Sequence, residues 1–205
     1  WSSDVCSSDL KGFMTETEYD SVVKTMRLPE KQLFGLPVVF DVASTDGLKQ
    51  GDKVLLTYQG DEVAVLEAES IYKPNKVVEA MECYGTSSLE HPTVHSLVAE
   101  QGAFQIGGKL HGLSSPKFPY KVMTPSEVRA TLPEGKQVVA FQNRNPIHKA
   151  HFELLKCAHK DVKDSILLVH PTCGPTQPGD IDGVVRISTY EALAAQVKDE
   201  FPGFR

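Results

Sequence analysis

The chain has 205 residues, 40% hydrophobic and 23% charged, with a formal net charge of −6 and a pI near 5.6. That length supports one large domain or two modest ones with a real core, and no run approaches a transmembrane span. The acidic balance argues against a nucleic-acid binder with a broad basic surface, so an anionic ligand would need local cations and backbone donors.

The first ten residues repeat a short S-S-D pattern and lack the apolar and basic features of a signal or transit peptide. They read as a foreign segment, 1–10, and are set aside from fold reasoning. Thr15-Glu16-Thr17-Glu18 is a capping-box pattern that opens an amphipathic helix to about Met26. Leu36 to Val42 reads as a strand. Val54 to Tyr58 and Val63 to Ala68 flank Gln59-Gly60-Asp61-Glu62, a hairpin signal, and another strand follows at Phe104 to Gly108. Short strands with Gly and Pro punctuation suggest a compact β-rich barrel with inserted helices over 11–123.

Composition shifts after Ser114-Ser115-Pro116-Lys117-Phe118-Pro119. Thr124-Pro125-Ser126-Glu127 places a cap, an N1 proline and an N3 glutamate in register, so a second domain is set at 124–205. Its elements alternate: a strand at Val138 to Phe141, a helix from Pro146 to about His159, a strand at Ser165 to His170, a helix at Val184 to Lys198. That β-α-β-α order implies a parallel, Rossmann-like α/β sheet, incomplete at Phe201 to Arg205. Both ends of the chain read as truncated.

The four cysteines, Cys6, Cys83, Cys157 and Cys173, have no paired spacing, which fits a reducing compartment better than a disulfide framework. Cys173, in a polar loop, is the one to test for reactivity.

The chemistry concentrates between Val138 and His151. A buried strand, a short polar loop and a helix start form a place where open α/β sheets bind anions. Asn145 reads as the N-cap and Pro146 as N1, which puts His148 at N3 and His151 one turn on. Ile147, His151, Leu154, Leu155 and Ala158 form an apolar stripe that leans His151 toward the sheet. A core histidine is the plain alternative, and a zinc site lacks a third ligand at metal spacing. Gln142, Arg144, Asn145 and both histidines in one junction favour a small oxyanion beside a phosphate. The long loop His170 to Asp182 is either a binding loop or a flexible connection. Arg186 either faces the same mouth or is a solvated surface residue.

These residues resemble the ATP sulfurylase (sulfate adenylyltransferase) family. Gln142-Asn143-Arg144-Asn145-Pro146-Ile147-His148-Lys149-Ala150-His151 is similar to its Q-x-R-N-P-x-H-x-x-H signature. His170 to Ile181 resembles its H-P-x-x-G-x-x-K-x-G-D-I segment. Gly12-Phe13-Met14, Leu36-Pro37, Glu90-His91-Pro92, Ile106-Gly107-Gly108 and Thr124 to Arg129 resemble its N-terminal landmarks in order. Asn143 stands where Thr or Leu is common and Gln177 where Lys is usual, and the later G-R-D-H-A and I-S-G-T-x-x-R motifs do not occur.

The resemblance implies a PUA-like N-terminal domain before a nucleotidylyltransferase domain, and the reaction of MgATP with sulfate to give adenosine 5′-phosphosulfate and pyrophosphate. Gln142 and Arg144 would hold sulfate, and Gln142, Asn143, Arg144, Asn145, His148 and His151 would bind ATP. Catalytic roles fall to Asn143, Arg144, Asn145, His148 and His151, with His170, Gly174, Asp180 and Arg186 in support. Magnesium would enter with ATP, and no tightly bound protein metal, nucleic acid or membrane partner is expected. The full-length protein would be a homo-oligomer or carry a fused adenylylsulfate kinase, in the cytoplasm or a plastid. A fragment lacking part of the site is expected to be inactive. The alternatives are another nucleotidylyltransferase, or RNA binding through the PUA-like domain.

Overall fold

Thr15 shows how closely local chemistry dictates the first elements. Its side chain accepts from the Glu18 backbone while the Glu18 carboxylate accepts from the Thr15 N–H at 2.8 Å, so α1 (Glu16–Thr25) starts at a complete capping box. The computed structural model describes residues 10–174 and 179–198. The foreign-looking segment, apart from Leu10, therefore lies outside the described residues, as do Gln177 and the last seven positions. The chain divides into two compact units, Trp1–Lys117 and Phe118–Arg205.

In the first unit, β1 (Gly12–Phe13) precedes α1, and β2 (Asp41–Val42), β3 (Lys53–Tyr58) and β4 (Asp61–Tyr72) follow it. Then come α2 (Lys76–Tyr84), α3 (Pro92–Ala99) and β5 (Phe104–Gly112). The sheet order is β1-β5-β4-β3, with β2 also on β5, all antiparallel. It is an open sheet: among the described residues no pairing joins β3 back to β1 or β2, which corrects the expected barrel. The expected strand at Leu36 to Val42 also shortens to β2. Its leading residues instead make single contacts, with the Val38 carbonyl accepting from Met14 N–H at 2.9 Å. The β3–β4 turn is tighter than the predicted hairpin. Gln59 and Gly60 alone make it, both at positive φ (52° and 90°), the backbone that suits strand twist.

A bulge in β4 between Ala68 and Ser70 lets one strand serve two cores. Leu66 and Ala68 face a cluster with Ile106, and past the inserted residue Ile71 joins that same cluster while Tyr72 turns to the other side. There Tyr72 packs with Met14, Tyr19, Val22 and Val23 of the α1 region. Gly108 answers the bulge: it sits at φ 151°, and a Cβ there would lie 1.9 Å from the Glu67 carbonyl oxygen. Only glycine fits.

The second unit runs α4 (Pro125–Thr131), β6 (Val138–Asn143), α5 (Lys149–Asp161), β7 (Ile166–Pro171) and α6 (Gly183–Gln196). Thr124 caps α4 through the predicted box. The strands β6 and β7 pair in parallel from Val138↔Ile166 to Asn143↔Pro171, which is the expected βαβ order. Leu155 of α5 and Tyr190 of α6 meet Leu167 and Val169 in one cluster, with Val139 and Phe141 packed against it. Both helices therefore cover the same face of the strand pair. Leu154, placed on the apolar stripe from sequence, is 54% exposed, and Phe152 takes its place at the core.

Candidate active site

The loop after β6 turns on Asn143. Its side-chain oxygen accepts the Asn145 N–H at 3.1 Å, and its amide nitrogen lies 3.3 Å from His151 Nδ1. The Asn145 carbonyl is taken by the Tyr190 hydroxyl at 2.7 Å. With its carbonyl held by Tyr190, Asn145 does not open the helix. The helix starts three residues later than predicted, at Lys149, and His148 rather than Asn145 is the capping position. The predicted N3 place of His148 is corrected accordingly, and His151 becomes the third residue of the helix.

The change matters electrically. Side chains of Thr15, Asn75, His91, Thr124 and Asp182 cap the other helices, whereas His148 makes no side-chain cap bond at α5. The first backbone N–H groups of α5 therefore stay available at the positive end of the helix dipole. The exposed His148 ring stacks on half-buried His151 with centroids 3.7 Å apart, and Phe141 backs His151 at 5.7 Å. Two imidazoles and a free helix start can together face a phosphate chain.

The predicted oxyanion residues sit beside this pair. Gln142 is exposed at the end of β6, where its amide donates to Thr172 Oγ1 at 2.6 Å. Arg144 is exposed, with Nε 3.9 Å from the half-buried Asp180 carboxylate. Asp180 thus orients the guanidinium by charge while leaving its fork open. His170 is exposed beside Gln142 in the strand register. Gly174 is also exposed, and among the described residues no close approach requires a glycine there. Gln142, Asn143, Arg144, Asn145, His148 and His151 share one junction.

Arg186 overturns both sequence expectations, since it is 1% exposed and neither solvated nor open to the mouth. Its guanidinium donates to the Thr172 carbonyl and to the Ile181 carbonyl, the latter at 2.6 Å. It clamps the two described arms of the long loop. Cys173 loses its interest as a reactive thiol: burial raises its pKa, against a lowering by Arg186, and its Sγ donates to the Pro171 carbonyl at 3.2 Å. Among the described residues, no group of three His, Cys, Asp or Glu side chains is placed to hold a metal ion.

Sequence reasoning missed Thr172 and Tyr190. Thr172 ties the two loops together, accepting from Gln142 and donating its N–H to the Asn143 carbonyl at 2.9 Å. The available signal for Tyr190 was its place one helical turn after Arg186, on the same face.

Comparison with known proteins bears on what this junction is. A PUA-like domain family matches residues 6–115, and the ATP-sulfurylase family matches residues 120–201. A sulfate adenylyltransferase of Chaetomium globosum is 41% identical over 197 residues, covering 91% of this chain and 34% of that protein. Relatives of the same name from Candida albicans and Schizosaccharomyces pombe are 37% and 36% identical, covering 94% and 91% of this chain and 40% of each relative. The chain thus spans between 34% and 40% of the length of these relatives. A solved structure described as a hexameric APS kinase from Thiobacillus denitrificans shares the fold. Its TM-score is 0.70 at 20% identity, over 96% of this chain and 36% of that one. Two consecutive family matches and relatives aligned across nearly the whole sequence establish that the chain belongs to the ATP-sulfurylase family.

Proposed function

We propose that this chain supplies the sulfate- and phosphate-handling loop of a sulfate adenylyltransferase, with a PUA-like domain at 11–123 and catalytic residues in 124–205. The reaction joins sulfate to the AMP portion of MgATP, releasing pyrophosphate, and is the first step of sulfate activation. A sulfate oxygen attacks the α-phosphorus, the bond to the bridging oxygen breaks, and its electron pair leaves on pyrophosphate. Sulfate is already deprotonated, so no general base is needed; it is also a feeble nucleophile, so alignment and charge neutralisation must carry the rate.

Gln142 and Arg144 hold sulfate in this reading, Arg144 through a bidentate fork. The Gln142 to Asn145 backbone lines the nucleotide. His148 and His151 donate to phosphate oxygens beside the free N–H groups of α5. Magnesium enters as part of the substrate. The observation that carries the reading is the stacked histidine pair, 3.7 Å apart, over a helix start that no side chain caps. The compartment proposed is the cytoplasm, with a plastid as the alternative, supported by free thiols at Cys83, Cys157 and Cys173. No helix among the described residues is long and apolar enough to cross a membrane. For the full-length protein a homo-oligomer or a fused adenylylsulfate kinase is proposed.

The test is pyrophosphate release by the protein extended to its relatives' length, with sulfate against phosphorylated metabolites as acceptors. Release that depends on sulfate supports the reading. Release that needs a phosphorylated metabolite instead assigns the loop to another nucleotidylyltransferase.

A further inference from the structure

We propose that Asn143 sets the proton position on His151: the neutral ring carries its hydrogen on Nε2, and Nδ1 is committed as an acceptor to the Asn143 amide. An Asn side chain has one accepting end and one donating end, and its partners decide which faces where. The Asn145 backbone N–H can only donate, so the group 3.1 Å from it must be the Asn143 oxygen. The amide nitrogen then faces His151 Nδ1 at 3.3 Å, a contact that attracts only when Nδ1 bears a lone pair.

Tyr190 fixes the other side of Asn145. Its hydroxyl hydrogen goes to the Asn145 carbonyl at 2.7 Å. Reversing the amide would set two donors against each other at Asn145 and face an oxygen toward the His151 lone pair. Every bond in this chain of contacts therefore runs one way, from Tyr190 to Asn145 to Asn143 and on to His151.

The imidazole also contacts two rings, stacked on His148 at 3.7 Å and tilted against Phe141 at 5.7 Å. With Nδ1 occupied, Nε2–H is the group left for a ligand, and a donor there suits a phosphate oxygen. Only that last use rests on the function proposed above; the proton position does not. Asn143 is accordingly a positioning residue acting through His151.

The chain itself, without nucleotide, supplies the test. Long-range proton–nitrogen correlation spectra of the histidine rings, recorded at alkaline pH where imidazoles are neutral, report which nitrogen carries the hydrogen. The His151 signals are assigned by their loss in His151→Gln. The expected result is the Nε2–H form. Asn143→Asp keeps an acceptor for the Asn145 N–H but replaces the donor by an oxygen, so the hydrogen on His151 should move to Nδ1. An Nδ1–H ring in the parent chain overturns the proposal, and so does an unmoved hydrogen in Asn143→Asp that keeps its circular dichroism. If that variant unfolds, the parent spectrum decides alone. A failed adenylyl-transfer assay would leave these spectra unchanged, so the two ideas fail separately.

Discussion

The two units use buried charge for different ends. In the first, Glu79 is 3% exposed and receives the Tyr19 hydroxyl at 2.6 Å, which ties α2 to α1 inside a packed cluster. In the second, Arg186 is equally buried and donates to loop carbonyls, those of Thr172 and Ile181. One charge joins elements that already pack; the other shapes backbone that has no ladder of its own. The same contrast holds for side-chain amides and rings. Asn75 caps a helix in the first unit, whereas Gln142, Asn143 and the two histidines of the second unit leave a helix start open. A polar group serving only the fold leaves nothing over for a ligand, whereas the start of α5 keeps backbone donors at the exposed end of β6.

The sharpest way to break this contrast is to remove the rings. In the protein extended to its relatives' length, His148→Ala and His151→Ala should each raise the barrier by roughly 3–4 kcal/mol, lowering turnover at least about a hundredfold with the fold intact. Pyrophosphate release alongside circular dichroism measures both. Near-normal turnover in the two variants would make the stacked pair ordinary packing, like the tyrosines of the first unit.

Removing the clamp comes next. Arg186→Met keeps volume but strips charge-assisted bonds from the Thr172 and Ile181 carbonyls, and the expected loss of stability is on the order of 3 kcal/mol. A urea midpoint for the chain reads it, and hydrogen exchange should rise around Thr172 and Ile181 before it rises elsewhere. An unchanged midpoint would show that the loop holds its shape without the buried charge. Arg144→Lys, at the exposed end of the same loop system, replaces a fork by a point charge. Sulfate binding should weaken by about 1.5–3 kcal/mol, roughly ten- to a hundredfold, read by isothermal titration of the extended protein. Undiminished binding would withdraw the oxyanion role from Arg144.

How far the sequence foretold this follows the range of the forces involved. Both capping boxes, at Thr15 and Thr124, were legible because a cap is decided within four residues. The parallel β6–β7 pair followed from the alternation of apolar runs with helical periods. The start of α5 was misjudged because Asn145-Pro146 is a good local start, and the Tyr190 hydroxyl that competes for the Asn145 carbonyl comes from 45 residues away. Arg186 was misread for the same reason, since nothing next to it in the chain announces a buried clamp. The six residues of the junction were legible by type and spacing. The direction of the hydrogen bonds among them was not, because direction depends on partners the loop meets only after folding.

The subtlest test lies in the first unit and concerns a slope more than a level. Burial raises the Glu79 carboxyl above its ordinary range, against lowering by the Tyr19 hydrogen bond and the Lys76 charge. Burial also pushes Tyr19 and Tyr72 upward, so neither phenol titrates in the acid range. A carboxyl whose folded pKa exceeds its unfolded value binds its proton more tightly when folded. Its contribution to stability is therefore complete below the ordinary carboxylate range and is lost as pH rises through the raised folded value. Glu79→Gln keeps the shape and an acceptor for Tyr19 but cannot ionise. Thermal unfolding followed by the near-ultraviolet tyrosine signal should show the parent chain losing stability toward neutral pH relative to Glu79→Gln, with the difference closing in acid. Parallel pH profiles would show that the charge buried in the first unit costs nothing there. The contrast with Arg186 would then rest on geometry alone, since one buried group would be neutral in its effect and the other would still hold a loop.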